Sequence, residues 1–342
     1  MNAAVSIPTG TSRFRRNDYD VTNTVQVSST ESVKAAVTAL FQDEWPAVST
    51  EQIARTFDTL DALFSGRLPG FHGVDTVYHD RQHTLDVTLA AARLMVGYER
   101  TIAPEARLGG DRALMGLVTA AFHDAGYVRE IGDPMPNGAR YTSSHVSRSA
   151  RLLERFLPAV GLQDWASIAG RIVHYTGYEV PFKDIQAPDE RDHRIGYLVG
   201  TADLIAQMAD RCYLEKCRDR LYPEFVLAGV ATGRNAEGYV DTRYGSGLDL
   251  LRKTPIFVET MRRDRLDGAF QGAYHYLEAL FEGRNPYIEA IDQHMAFLRK
   301  ILRSGNFGLL RRNPPVFTRD PDPLPGVRQL VVSHIKGVWS ET

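Results

Sequence analysis

The chain reads as an all-α protein, a multi-helix bundle, and three observations carry that prediction. Apolar residues recur at helical spacing, as in Leu85, Leu89, Ala92 and Met95. Helix-entry and helix-exit residues bracket such runs. Ser49 has Gln52 three residues on, Asn285 precedes Pro286, and Gly66 and Gly283 follow apolar stretches. Strand-like alternation is almost absent and no internal repeat is found.

Taken in order, residues 1–30 are rich in Ser, Thr, Asn and Arg without helical periodicity, which predicts a mobile tail. Helices are predicted over 31–43, 49–65 and 83–98, the last reached through a Leu68-Pro69-Gly70 loop. Residues 107–111 interrupt the pattern, and an apolar helix over 114–122 runs into His123-Asp124, with Gly126 ending it. The loop 128–141 carries Pro134, Pro136, Gly132 and Gly138, and loops of that length in a compact chain are often functional. Further helices are predicted over 144–156, 164–175, 194–220, 255–281 and 286–303. Beyond residue 305 the chain is rich in Pro and Arg, predicting an irregular tail over 305–342 with a short strand at 329–333. One helical domain, 31–304, thus stands between two tails.

Composition narrows the function classes. The 342 residues are 43 % hydrophobic and 24 % charged, enough apolar material for a core. A net charge of −2 gives no reason to expect nucleic acid or an anionic membrane as partner. No window approaches the roughly 20 apolar residues of a membrane span. Residues 1–16 hold no apolar run suited to a secretory signal. Cys212 and Cys217 lie five apart in a predicted helix, which disfavours a local bridge and reads as reduced thiols of a cytoplasmic protein.

The chemistry concentrates in histidines and two aspartates. An imidazole and a carboxylate buried at the end of an apolar helix, as His123-Asp124 would be, cost several kcal/mol unless paired. A divalent metal is the usual partner of that combination. His79 and His83 are four apart: they share a face if helix begins at His79, or stand at its entry if it begins nearer His83. His145, His174 and Asp203 sit on predicted helices among apolar neighbours. Any one of these histidines reads as a core residue, but aspartate is rarely buried unpaired. On successive helices of a bundle the set can converge on metal. Asp86 reads either as a partner orienting a ligand histidine or as a solvated helix charge. Arg129 and Arg140 flank the 128–141 loop and are candidates to meet phosphate.

The order His83, His123-Asp124, Asp203 resembles the His…His-Asp…Asp signature of the HD superfamily of metal-dependent phosphohydrolases. Residues 78–87, Tyr-His-Asp-Arg-Gln-His-Thr-Leu-Asp-Val, look like the Tyr-His-Asn-x-x-His-x-x-Asp-Val segment of class I cyclic nucleotide phosphodiesterases, with Asp80 in place of Asn. Residues 203–225, ending Tyr222-Pro223-Glu224-Phe225, are similar to the helix after that family's last metal aspartate. His145 and His174 sit where HD-GYP cyclic-dinucleotide phosphodiesterases place two further ligands. The Gly-Tyr-Pro signature is absent, and Tyr127 stands where those proteins have Lys. The resemblance spans residues 75–225.

It implies one or two divalent ions (Mn, Mg, Fe, Zn or Co). His83, His123, Asp124 and Asp203 would hold the first, and Asp124 would bridge to a second completed by His145 and His174. Asp124 and His79 would be the catalytic residues, His79 as proton donor to the leaving group. The implied substrate is a small phosphodiester, foremost a nucleotide. A nucleotide phosphomonoester or triphosphate remains open. So do a mixed-valent di-iron oxygenase, which the same six ligands suit, and a degenerate HD module that only regulates.

Overall fold

The computed structural model describes residues 14–234 and 236–340, and among them it is all-α apart from one small hairpin. The helices α1 (Thr30–Glu44) and α2 (Thr50–Phe64) start where Ser29 and Ser49 accept bonds from the amides of Ser32 and Gln52. Next, α3 (Arg81–Thr101) is capped by Asp80, whose carboxylate accepts from the His83 amide at 3.1 Å. His79 therefore precedes the helix and His83 lies in its first turn. Asp80 does at the cap what an Asn would do there.

Gly110–Phe122 is α4, His145–Phe156 is α5 and Ala166–Ile172 is α6. Glu190–Ala209 is α7. It stops at Asp210, whose side chain accepts from Cys212 N at 2.6 Å and pairs with Lys216 at 2.6 Å. That local turn breaks the helix predicted to run unbroken to 220. Tyr213–Lys216 (α8), a π-helical turn at Cys217–Leu221 and Tyr222–Leu227 (α9) come next. The antiparallel hairpin of β1 (Thr232–Arg234) and β2 (Val240–Thr242) leads into α10 (Gly247–Thr260), which begins well before Pro255 because Ser246 caps it. The predicted continuation to 281 is instead a π-helix at Met261–Ala269 and a 3₁₀ segment at Ala273–Ala279. Pro286–Ser304, capped by Asn285, is α11.

The core forms around α3, which packs against α1, α4, α7 and the 273–279 segment, while α7 also meets α4 and α11. The predicted stripe of Leu85, Leu89, Ala92 and Met95 is fully buried, and so is the opposite face of α3. A helix covered all round must pair its polar side chains. Glu99 does so by accepting from Leu108 N at 2.8 Å and from the Trp45 indole at 3.2 Å. Arg93 bonds Tyr287 at 2.9 Å and Asp20 at 2.7 Å.

That last pair corrects the prediction of a mobile segment over 1–30. Residues 1–13 lie outside the described residues, but Asp20 is wholly buried against the Arg93 guanidinium. Its Oδ1 also accepts from Thr24 N and Val25 N at 3.0 and 2.9 Å. A buried cation on α3 recruits this loop into the core, a long-range demand that local periodicity does not show. The irregular C-terminal tail is likewise corrected. Residues Leu324–Ser340 form a helix, α12, in place of the predicted strand. Its Leu324, Val327, Leu330 and Val331 lie against Val77, Ala139, Leu227 and Val316. Cys212 and Cys217 are buried free thiols, and burial pushes both up to about 12. No helix among the described residues is long and apolar enough to cross a membrane.

Asp86 neither orients a histidine nor meets solvent. It is buried among Arg15, Asp210, Asp20 and Arg93, its Oδ1 has no partner, and burial pushes the carboxyl up to about 7. Between 3.8 and about 7 the folded state keeps a proton that the unfolded state has released. Stability should therefore fall as pH rises through that interval. Asp86→Asn should flatten this fall in urea midpoints measured across it, and parallel wild-type and variant curves would exclude it. Asp20→Ala strands the Arg93 charge and should cost ~3–5 kcal/mol by urea denaturation. A loss under about 1 kcal/mol would mean the loop is not part of the core.

Candidate metal centre

Three buried helices bring the site together. His83 comes from the first turn of α3, His123 and Asp124 from the end of α4, and Asp203 from α7. His145 is the first residue of α5. His83 Nε2 lies 3.4 Å from Asp124 Oδ2 and 3.4 Å from Asp203 Oδ1. For His123 Nε2 the corresponding distances are 3.2 and 3.7 Å. Ligand atoms of His83, His123 and Asp203 all lie within 4.8 Å of one another. The other oxygen of Asp124, Oδ1, faces His145 Nε2 at 3.6 Å. One carboxylate thus touches both sides of the cluster.

Glycine makes the His145 contact possible. A Cβ on Gly126 would sit 1.9 Å from the His145 carbonyl oxygen, so only glycine lets the turn after Asp124 lie against the start of α5. Gly126 N donates to Ser149 Oγ at 2.8 Å, and Arg148 Nε donates to the Gly126 carbonyl at 2.7 Å. The glycine that reads in the sequence as a helix stop is also a docking point.

The donor set could hold a cation. Nδ1 of His123 is 2.8 Å from the Ala120 carbonyl, and Nδ1 of His145 is 2.8 Å from the Thr142 carbonyl. Carbonyls only accept, so each Nδ1 carries hydrogen and each neutral ring turns a lone pair toward the aspartates. Acceptor then faces acceptor, and His123 Nε2 and Asp124 Oδ2 are buried without a hydrogen bond. Protons relieve part of this. Burial pulls His83 down, but Asp124 and Asp203 override it and push the imidazole up to about 10. His123 is raised against its burial by the same two carboxylates. Asp124 is held well below its usual range, despite burial, by His123, His83 and His79. Protons do not serve His145, which burial keeps below its ordinary value against the pull of Asp124. A divalent ion, which accepts both imidazole nitrogen and carboxylate oxygen, fits every donor at once.

His174 is placed less centrally. It lies in the 3₁₀ turn Val173–Thr176 after α6, not on a helix. Among the described residues no ion pair or ring contact joins it to the other five. Its Nδ1 is buried without a partner, and burial lowers the imidazole against the pull of Glu179. Glu179 accepts from Val146 N and Ser147 N at 2.8 and 2.9 Å, which ties this turn to the His145 end of the site.

His79 borders the cluster, its ring 5.8 Å from that of His83 and 4.6 Å from that of Tyr127. Tyr127 in turn lies 4.4 Å from the His145 ring. His79 Nδ1 is 2.7 Å from Glu224 Oε2 on α9. Burial pulls this imidazole down, yet Glu224 raises it overall. Glu224 also accepts from the amides of Tyr78 and His79 at 2.5 and 3.3 Å. The sequence reading gives Glu224 no role. The available signal is a carboxylate beside Pro223, Phe225 and Val226, where burial demands a partner. Arg129 pairs with Asp75 at 2.9 Å, and Arg140 donates to the Leu227 carbonyl at 2.8 Å. Both are committed to other partners, Arg140 also lying 3.4 Å from His334 Nδ1.

Compared with protein-family models, curated proteins and solved structures, the chain gives no match.

Asp124→Ala should weaken manganese binding by more than the about 10- to 100-fold typical of losing an outer partner. It should also remove the thermal stabilisation by metal. Full metal content in this variant would exclude the site. Gly126→Ala forces the turn off α5 and should lower the melting temperature and the metal stoichiometry together. An unchanged stoichiometry would show that His145 holds no ion.

Proposed function

We propose that the chain is an HD-type metal-dependent phosphohydrolase that cleaves a phosphodiester, foremost of a nucleotide. The observation that carries this reading is the Asp124 carboxylate, with one oxygen toward His83 and His123 and the other toward His145. His83, His123, Asp124 and Asp203 would hold one divalent ion, and Asp124, His145 and His174 a second. The unpartnered Nδ1 of His174 leaves that ring free for the task. Bound divalent ions supply a low-pKa water and neutralise charge on the phosphoryl oxygens.

The protein's own part lies with His79 and Glu224. Glu224 takes the Nδ1 hydrogen of His79 at 2.7 Å and favours the imidazolium, leaving Nε2–H to be given away. As the phosphorus–oxygen bond to the leaving alcohol breaks, that oxygen takes the Nε2 proton. The products are a monoester and an alcohol, and solvent returns the proton to His79. Tyr127, buried beside both His79 and His145, keeps water from the faces of the two rings.

His79→Ala tests the assignment because general acid help matters only for a poor leaving group. The variant should keep its metal and lose ~100- to 10,000-fold on a cyclic nucleotide or other alkyl diester. A nitrophenyl phosphodiester, whose leaving group departs unaided, should be far less affected. Glu224→Gln should move the alkaline limb of the alkyl-diester pH profile to lower pH, because His79 loses the partner that raises it, while sparing the nitrophenyl substrate. Equal losses on both substrates would remove His79 from the acid role. Oxygen consumption by iron-loaded protein, with no anaerobic hydrolysis, would replace the whole reading with an oxidative one.

A further inference from the structure

Arg265 is a buried cation that the proposed chemistry does not use. It lies on the π-helix Met261–Ala269, where the wider turn presents Met261, Arg265 and Leu266 to the interior. The register is seen in the bond from Phe270 N to the Arg265 carbonyl at 2.7 Å. π-helical turns recur at functional sites. The residue is 7 % exposed, yet among the described residues it forms no ion pair. Its one hydrogen bond runs from Nη2 to the Gly177 carbonyl at 2.6 Å. A guanidinium has five N–H donors, so most of this fork is uncommitted.

The surroundings set its orientation. The guanidinium carbon lies 3.7 Å from the centre of the Tyr178 ring and 4.8 Å from that of Phe182. Tyr178 is itself 69 % exposed, so the stack opens to solvent on that side. Gly177, whose carbonyl takes the Arg265 bond, closes the His174 turn through a bond from Gly177 N to the His174 carbonyl at 3.2 Å, which places the stack beside that turn. Burial lowers the guanidinium from its ordinary value, and Tyr178 and Asp203 offset this only in part. Cation–π contact offsets some of the lost hydration as well. Its uncommitted N–H groups are not sealed from solvent, so an arriving anion can reach a charge that has no counter-ion among the described residues. Among anions, a phosphoryl group matches the flat fork, which can bind two of its oxygens together.

We infer that Arg265 is the oxyanion-binding residue of this site, holding the phosphoryl oxygens of the substrate between the Tyr178–Phe182 stack and the His174 turn. This rests on the phosphohydrolase reading for its substrate, but not for the anion site itself. It predicts that inorganic phosphate, the smallest such oxyanion, binds here and that Arg265 decides its affinity.

The test is calorimetric titration of the full chain with inorganic phosphate, with and without bound manganese, in wild type, R265Q and R265K. Wild type should bind phosphate. R265Q should bind it about 10- to 100-fold more weakly, as loss of charged hydrogen bonds implies, with manganese content unchanged. R265K keeps the charge but loses the fork and should fall between the two. If R265Q fails to fold, a several-fold loss in R265K upholds the anion site by itself. Equal phosphate affinity in wild type and variants overturns the inference, as does wild-type protein that binds no phosphate. A lower melting temperature with unchanged phosphate affinity also overturns it, assigning Arg265 to holding the Gly177–Phe182 loop. Arg265-dependent phosphate binding by a protein that retains no manganese would uphold the anion site and sink the hydrolase. Manganese retention with phosphate binding indifferent to Arg265 would do the reverse.

Discussion

Lone pairs facing carboxylates across 3.2 to 3.7 Å, inside a helical core, are the constraint on which the arrangement depends. The carbonyls of Ala120 and Thr142 fix two imidazoles with Nε2 inward, so the rings cannot turn to relieve the clash. Positive charge must lie between them. The helices that carry these groups, α3, α4 and α7, are also those that pack most deeply. The fold therefore places on its most deeply packed helices an arrangement that needs positive charge, from protons or from an ion. An ion bound by such a group would stabilise the core that holds it.

The two chain ends serve the same helices. At the N-terminal side, Asp20 neutralises Arg93 in the middle of α3, and the 20–25 turn is tied down by the same carboxylate. At the C-terminal side, Phe317 N donates to Asp80 at 3.0 Å and Arg81 N donates to the Phe317 carbonyl at 3.2 Å. Asp80 caps α3 between His79 and His83, so the strap after α11 steadies the segment that holds both histidines. Neither residues 14–29 nor the segment after α11 up to residue 340 is an appendage.

How far the sequence discloses this depends on the range of the interaction involved. Caps and exits at Ser49, Asn285 and Gly66 are local, and the helices they bound lie at their predicted places. His83, His123, Asp124, His145 and Asp203 are readable because each is an unusual residue at the edge or on the buried face of a periodic helix. The ends are not readable, because Asp20 and Phe317 take their meaning from partners far along the chain. Helix α12 escapes for a different reason. Only Val327 in it is buried, and Pro325, Gly326 and Gly337 dilute its periodicity. The breaks at Asp210 and after Thr260 show the converse limit. Apolar spacing predicts one helix through each, and a side-chain turn or a π register cuts it.

Those π turns also divide the site by backbone regularity. The residues assigned to metal on α3, α4 and α7 sit in regular helix or at its end, where packing allows little adjustment. The other two functional assignments depend on irregular backbone. Glu224, which orients His79, lies just after the π turn Cys217–Leu221, and Arg265 lies within the π-helix Met261–Ala269. A π turn shifts which side chains face inward beyond it, and Glu224 and Arg265 are both buried beside or within one. Under the hydrolase reading proposed above, the candidate ligands lie on regular helix, and the partner of the proton donor and the oxyanion residue lie at or beside π turns.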